Sequence, residues 1–313
     1  MTIEYAIIVK SKTRLELLTE RFNTKAQARF YIERSGGLFE DYQVEHEKFH
    51  DSLSLMQRQL STVIKNKIVE RNFLPSFLFN DKQVVIVIGQ DGLVANTAKY
   101  VNGIPIIAVN PDSERYDGVL LPFNPTNFIG AVEKVVTNKF NAKTVPLAEA
   151  VLNDGQRLLA FNDLFIGASS HVSARYKISY NHKSEEHSSS GIIVSTKSGS
   201  TGWLSSIFNM TFGMHRFIAK DGTKKMTAKL KDDQLMFTVR EPFHSKKTQT
   251  SIIAGILTGQ TKLVLESYMP GNGVIFSDGI ETDFLNFNSG AIVTVGIAKE
   301  TANLVAEENS TKA

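Results

Sequence analysis

Five β-branched apolar side chains follow one another at 84–88, Val84-Val85-Ile86-Val87-Ile88, and the run stops at Gly89-Gln90-Asp91-Gly92. Such a run predicts a strand covered on both faces, as in a parallel sheet, that delivers one carboxylate into a tight turn. A shorter apolar run predicts a strand at 5–10, and a polar stretch predicts a helix at 24–34. Phe49, Leu53, Met56, Leu60, Val63 and Ile64 recur at three- and four-residue steps, the stripe of a longer helix that faces a core. Beyond the glycine turn the pattern predicts a helix at 93–101, a second buried strand at 104–109, and a helix opened by Asn124-Pro125 that carries Phe128, Val132, Val135 and Val136. This strand, helix, strand order implies parallel strands joined by a right-handed crossover.

Near 140–150 the pattern changes. Short alternating runs follow at 157–161, 174–180, 191–195, 227–230, 234–239, 262–266, 274–276 and 291–297, separated by polar turns. Many short strands at regular spacing predict a mainly antiparallel second domain. The expected organisation is therefore an α/β domain over 1–145 and a β-rich domain over 146–313. The most polar segment, Lys183-Ser184-Glu185-Glu186-His187-Ser188-Ser189-Ser190, reads as a mobile loop. Neither an internal repeat nor a heptad pattern is present.

Composition narrows the chemistry. The 313 residues carry 35 basic and 32 acidic side chains, a net charge of +3, so no global field drives the chain onto nucleic acid or a membrane surface. Without a cysteine, disulfides, thiolate metal sites and cysteine nucleophiles are excluded together. The opening residues lack a basic region followed by a cleavage site, and no run of 18 apolar residues occurs, so neither export nor a membrane span is expected. A reducing, cytoplasmic setting fits this usage.

Three further segments are candidates. Ser195-Thr196-Lys197-Ser198-Gly199-Ser200-Thr201-Gly202 follows an apolar run and precedes Trp203-Leu204, which opens a possible helix. Its hydroxyls and backbone N–H groups suit a polyol or phosphate, and equally a helix-capping loop; its lysine precedes the glycines, so it is not a P-loop. Asn162-Asp163 sits inside an apolar stretch, where an amide and a carboxylate suit a ribose diol or a self-satisfied hairpin turn. His46-Glu47-Lys48-Phe49-His50 has the spacing of zinc peptidases. We read that match as accidental, because Glu70, the acid one would add, lies in nothing resembling a site, and a catalytic zinc needs a third ligand. Trp203 and the scattered phenylalanines read as core rather than stacking platforms, since no basic stripe interleaves with them.

Taken in chain order, Gly89-Gln90-Asp91-Gly92, Asn162-Asp163, the hydroxyl loop and Ser277-Asp278-Gly279 resemble the NAD kinase family. That family has a Gly-Gly-Asp-Gly-Thr turn, an Asn-Glu pair, a Thr-Gly-Ser-Thr-type loop and a late Asp-Gly in the same order. Ser189-Ser190-Gly191 and the segment Asn110-Pro111-Asp112-Ser113-Glu114-Arg115 are similar to its mitochondrial-type branch. The resemblance implies a Rossmann-like first domain and a β-sandwich-like second one, with the C-terminal segment returning to the first. It implies ATP as donor, NAD as acceptor, and Mg²⁺ held mainly by phosphates rather than by a protein metal site. Asp91 would be the base acting on the adenosine-ribose 2′-hydroxyl. Gly89, Gln90 and Gly92 would lie against the donor phosphates. Asn162, Asp163, Ser198, Gly199, Thr201, Gly202 and Asp278 would bind NAD. A homodimer or homotetramer is implied as well. The chain departs from the pattern at Gln90, in place of a glycine, at Leu93, in place of the threonine, and at Asp163, one methylene shorter than the usual glutamate.

Two other readings stay open. One is a dinucleotide-binding protein without turnover, motivated by Gln90 and Leu93. The other is a related kinase acting on a sugar or lipid hydroxyl.

Overall fold

A computed structural model describes residues 3–219, 227 and 229–307. Its contacts divide the chain into two units, one made of the residues up to Thr144 with the segment from Ala302, the other of Val145–Thr301.

In the first unit the chain runs through β1 (Tyr5–Lys10), α1 (Arg14–Phe22), α2 (Lys25–Arg34), α3 (Phe39–Val63), β2 (Lys65–Glu70), β3 (Gln83–Ile88), α4 (Asp91–Ala98), β4 (Pro105–Val109) and α5 (Phe128–Val136). β3 pairs in parallel with β1 on one side and β4 on the other, and all six of its residues are buried, as its unbroken apolar run requires. β2 pairs with the far side of β1. The resulting order β2-β1-β3-β4 reverses direction between β1 and β3. Ligands in such sheets bind where the order reverses, outside the carboxyl ends of the strands, and the Gly89 turn sits at one of those ends. The stripe of α3 packs Phe49, Leu53, Met56 and Leu60 against Ile8, Ile86 and Phe128, while Val63 at its end is exposed.

The second unit carries β5 (Ala142–Leu152), β6 (Arg157–Ala160), β7 (Asp163–Ala168), β8 (Ala174–Tyr180), β9 (Lys183–Ser189), β10 (Ile192–Ser195), α6 (Trp203–Ala219), β11 (Leu235–Val239), β12 (Ala254–Leu257), β13 (Leu263–Ser267), β14 (Gly273–Ser277), β15 (Ile280–Asn286) and β16 (Ile292–Val305). One antiparallel sheet runs β12-β11-β10-β7-β14-β15, and a second stacks β16, β13, β8 and β9 side by side. Alternate residues of both, among them Ile166, Val194 and Phe237 from one and Tyr176, Ile178 and Leu265 from the other, form a shared core. The fold is thus an α/β unit followed by an antiparallel sandwich. The last residues of β16 leave the sandwich, and Asn303 and Leu304 pair in parallel with Pro105 and Ile106 of β4 in the first unit.

Several elements differ from the sequence reading. The segment 183–190 is not a loop: β9 pairs with β8 along its whole length. Its polarity hid a two-residue alternation in which His187 and Ser189 turn inward, where Glu185 Oε2 lies 3.1 Å from His187 Nε2 and Tyr176 Oη lies 2.7 Å from Ser189 Oγ. The helix after Gly89 begins at Asp91 rather than at 93, so the carboxylate belongs to its first turn. The helix after Asn124-Pro125 begins only at Phe128, because Asn124 Oδ1 accepts the N–H groups of Thr126 and Asn127 and closes a separate turn. Of the strand expected at 227–230, residue 228 lies outside the described residues, and Thr227, Lys229 and Leu230 carry no strand. β2, β5, β7, β12 and β15 were not distinguished in the sequence pattern. Among the described residues no helix is long and apolar enough to cross a membrane.

Candidate functional site

In the second unit, three segments far apart in sequence meet at one place. The β14–β15 turn puts Asp278 in the left-handed region, φ 53°, followed by Gly279 at φ 71°. The Asp278 carboxylate then accepts the backbone N–H groups of Phe161 (3.0 Å), Asn162 (2.6 Å) and Asp163 (3.2 Å), while its own N–H donates to Asp163 O at 3.0 Å. It therefore acts as a clamp on the turn between β6 and β7. The hydroxyl loop closes on the same turn from the other side. Thr196 N donates to Asn162 O at 2.8 Å, and Thr196 Oγ1 donates to Phe161 O at 2.6 Å while accepting Gly199 N at 3.2 Å.

Gly199 is required by this closure. A Cβ built there would lie 2.1 Å from Asn162 O and 2.6 Å from its carbonyl carbon, a backbone contact that cannot yield cheaply. Residues 198–201 form a short 3-10 turn, and α6 follows directly. The hydroxyls divide into two groups. Ser195 and Ser200 bond within the loop, Ser200 Oγ to Lys197 O at 2.7 Å, and Thr196 reaches Phe161 O outside it, whereas the hydroxyls of Ser198 and exposed Thr201 find no partner among the described residues.

Asp163 stands out chemically. It is 9 % exposed, and no described residue hydrogen-bonds to its carboxylate. Burial first, and the nearby Asp278 carboxylate second, push its pKa up to about 7. A buried acid to which no described residue hydrogen-bonds is a group to which a ligand hydroxyl has something to offer.

A cavity of about 850 Å³ opens in the same unit, with Phe165, Trp203, Phe276, Arg240, Ser190 and Glu281 among its lining residues. Phe165 stacks between Trp203 (5.7 Å, 7°) and Phe276 (4.8 Å, 29°), and the Arg240 guanidinium lies 5.3 Å from the Trp203 ring centre. Trp203 is thus half-buried at a cavity wall, packed on the cluster of Phe165, Ile193 and Val274 with the Arg240 cation over its ring. The core reading of Trp203 agrees with that packing, whereas Arg240 and Glu281, which no local pattern marks, were missed.

In the first unit, Gly89 (φ 156°) ends β3, and Gln90 occupies the cap position of α4 without a side-chain hydrogen bond to it. Asp91 Oδ2 accepts Val119 N at 3.1 Å and Oδ1 accepts Leu120 N at 2.8 Å, so the loop after β4 fixes the carboxylate. That loop is itself folded by Asn110, whose amide donates to Tyr116 O and whose carbonyl oxygen accepts Asp112 N. Leu93, standing where the resembled motif has threonine, is buried, and its carbonyl accepts the Thr97 hydroxyl. A Cβ at Gly92 would meet nothing within 4 Å. The peptidase reading of 46–50 also meets its geometry here: Glu47 is exposed and accepts the Gln43 amide at 2.8 Å, away from a base's position.

No family model matches the chain, and no curated protein matches its sequence. Solved structures do match. The yeast NADH kinase, in complex with NADH, superimposes with a TM-score of 0.62 over 98 % of this chain and 84 % of its own, at 12 % identity. An NAD kinase from Archaeoglobus fulgidus, in complex with ATP, superimposes with a TM-score of 0.55 over 97 % of this chain and 94 % of its own, at 14 % identity. The chain has the two-domain fold of the NAD kinases. At these identities that fold is what is shared, and the residues must carry the chemistry by themselves.

Proposed function

We propose that the chain is an NAD kinase-like phosphotransferase that moves a phosphoryl group from ATP or another donor to the 2′-hydroxyl of the NAD adenosine ribose. The observation that carries this reading is the gathering of Asn162, Asp163, Ser198, Thr201 and the Asp278 clamp around one turn, with a buried acid left unpartnered. Asn162 and Asp163 would take ribose hydroxyls, and Ser198, Gly199, Thr201 and Gly202 would border the adenine and ribose.

Asp91 is the proposed base. Each of its oxygens takes one N–H, which leaves acceptor capacity on both, and the two bonds fix the direction from which a hydroxyl proton would arrive. Phosphoryl transfer through a loose transition state asks mainly for positioning and charge neutralisation. Gly89, Gln90 and Gly92 would face the donor phosphates, with Gly92 leaving room for a close approach. Mg²⁺ would enter on those phosphates, neutralising their charge, as hard cations of this kind usually do. We assign the protein to the cytoplasm and to a homodimer or homotetramer on the same reading, closest to the mitochondrial-type branch.

A second reading, a dinucleotide-binding protein without turnover, is favoured by buried Leu93 and uncapped Gln90, which remove a hydroxyl and a glycine from the donor side. Purified protein with NAD or NADH, Mg²⁺ and, separately, ATP, other nucleoside triphosphates and polyphosphate should form NADP or NADPH, read by an NADP-specific coupled dehydrogenase. Silence with every donor, together with tight NAD binding by calorimetry, would establish the second reading instead. Silence without NAD binding would point to a sugar or lipid acceptor.

A further inference from the structure

The histidines of the peptidase-like spacing acquire a partner that the sequence did not offer. His46 and His50 lie one turn apart on α3, their ring centres 4.3 Å apart and their planes tilted by 59°. Glu16, in the first turn of α1, brings Oε1 to 3.1 Å from His50 Nε2. One donor atom from each of Glu16, His46 and His50 lies within 4.8 Å of the other two. We propose that these three side chains form a Zn²⁺ site that clips α1 to α3, independent of the phosphotransferase reading.

The donor set suits this ion. Two imidazoles and one carboxylate are borderline ligands of the kind that select zinc, whereas Mg²⁺ prefers oxygen alone. Tetrahedral coordination at about 2.0–2.1 Å sets ligand atoms roughly 3.4 Å apart, so the three must draw together by about an ångström. Glu16 and His50 have the freedom to do so, with side chains 26 % and 38 % exposed. The carboxylate is also oriented in advance: Glu16 Oε2 accepts Thr13 N at 2.7 Å in a capping box, which turns Oε1 toward the histidines. His46 Nδ1 lies 2.9 Å from Thr13 Oγ1, a hydrogen bond that holds the imidazole in place, and water would fill the remaining position.

A plain ion pair explains less. It needs one histidine, and it does not call for the second imidazole, already held by Thr13 Oγ1, to stand beside the first. The cation already near Glu16, Lys10 Nζ at 3.9 Å, lies closer to Glu70 at 3.4 Å and is held on that side. Glu47 faces away, so the site clips rather than hydrolyses. Its place also matters. Thr13 follows β1, whose last residue is in register with Ile88, just before Gly89, so the ion would stiffen the loop beside the switch point of the sheet.

Metal-stripped full-length protein titrated with Zn²⁺ alone, against a chromophoric chelator, should bind one equivalent, retained in excess Mg²⁺, and Co²⁺ in its place should give visible d–d absorption. His50→Asn should weaken binding by more than the about 10–100-fold that outer-shell changes cost, and should abolish the zinc-dependent rise in Tm while leaving the metal-free Tm unchanged. Glu16→Gln, which keeps an amide oxygen for the capping box but offers the ion no carboxylate, should do the same. Glu47→Gln should bind as the parent does. Absence of a stoichiometric site, or binding unaltered by His50→Asn, overturns the proposal.

Discussion

The two glycine turns that the sequence offered as sites are built in opposite ways. The turn at 195–202 is closed on its neighbours: Thr196 bonds in three directions, Asp278 clamps the facing turn, and Gly199 touches the Asn162 backbone so closely that no other residue fits. The turn at 89–92 is closed on one side only. The loop at 119–120 grips Asp91, but Gln90 caps nothing and Gly92 borders open space. On the proposed function, the closed turn suits a rigid acceptor pocket, whose task is to position one hydroxyl, and the open turn suits a large, charged and mobile donor. Glycine therefore means packing at Gly199 and, on the proposed function, access at Gly92.

The largest effect should come from Gly199→Ala, which forces the two turns apart and costs on the order of 3 kcal/mol or more by chemical denaturation, with NAD binding lost as well. A mild result would break the contrast at its strong end. Next is Asp163→Asn. The folded chain holds this proton up to about pH 7, whereas the unfolded chain releases it near pH 4. Its stabilising contribution is therefore complete below about pH 4 and is lost as the pH rises through about 7. The amide, which has no proton to lose, should raise stability by a few kcal/mol, as an order of magnitude, at about pH 8 and change little at about pH 4, while weakening NAD binding. Equal shifts at both pH values would contradict the unpartnered acid. Gly92→Ala should keep or improve stability by up to about 1 kcal/mol yet lower turnover about 10- to 100-fold, and full turnover would deprive the open turn of its role. Smallest is Gln90→Ser, which supplies the missing cap and should stabilise α4 by about 0.5–1 kcal/mol in thermal melts.

Legibility followed the same contrast. β3 was readable because five branched apolar residues admit one setting, and α3 because its stripe has one period. β9 was not, because its inward residues are polar: Ser189 meets the Tyr176 hydroxyl, a partner that only the fold supplies, and His187 Nε2 meets Glu185 of the same strand. The candidate turns were visible as motifs, but their roles came from contacts: Asp278 is a clamp only because a turn 116 residues earlier presents three N–H groups to it. Arg240 over Trp203, and Glu16 beside the two histidines, had no local signal at all.

The most direct measurement is phosphorus NMR of the products that the parent protein and Asp91→Asn form from NAD, Mg²⁺ and the best donor. The account predicts a phosphomonoester on the adenosine-ribose 2′-oxygen from the parent, and a rate about 10²–10⁴-fold lower from the variant, the usual share of a positioned base. A phosphomonoester formed equally fast without the Asp91 carboxylate, or no transfer to NAD from any donor, would contradict it.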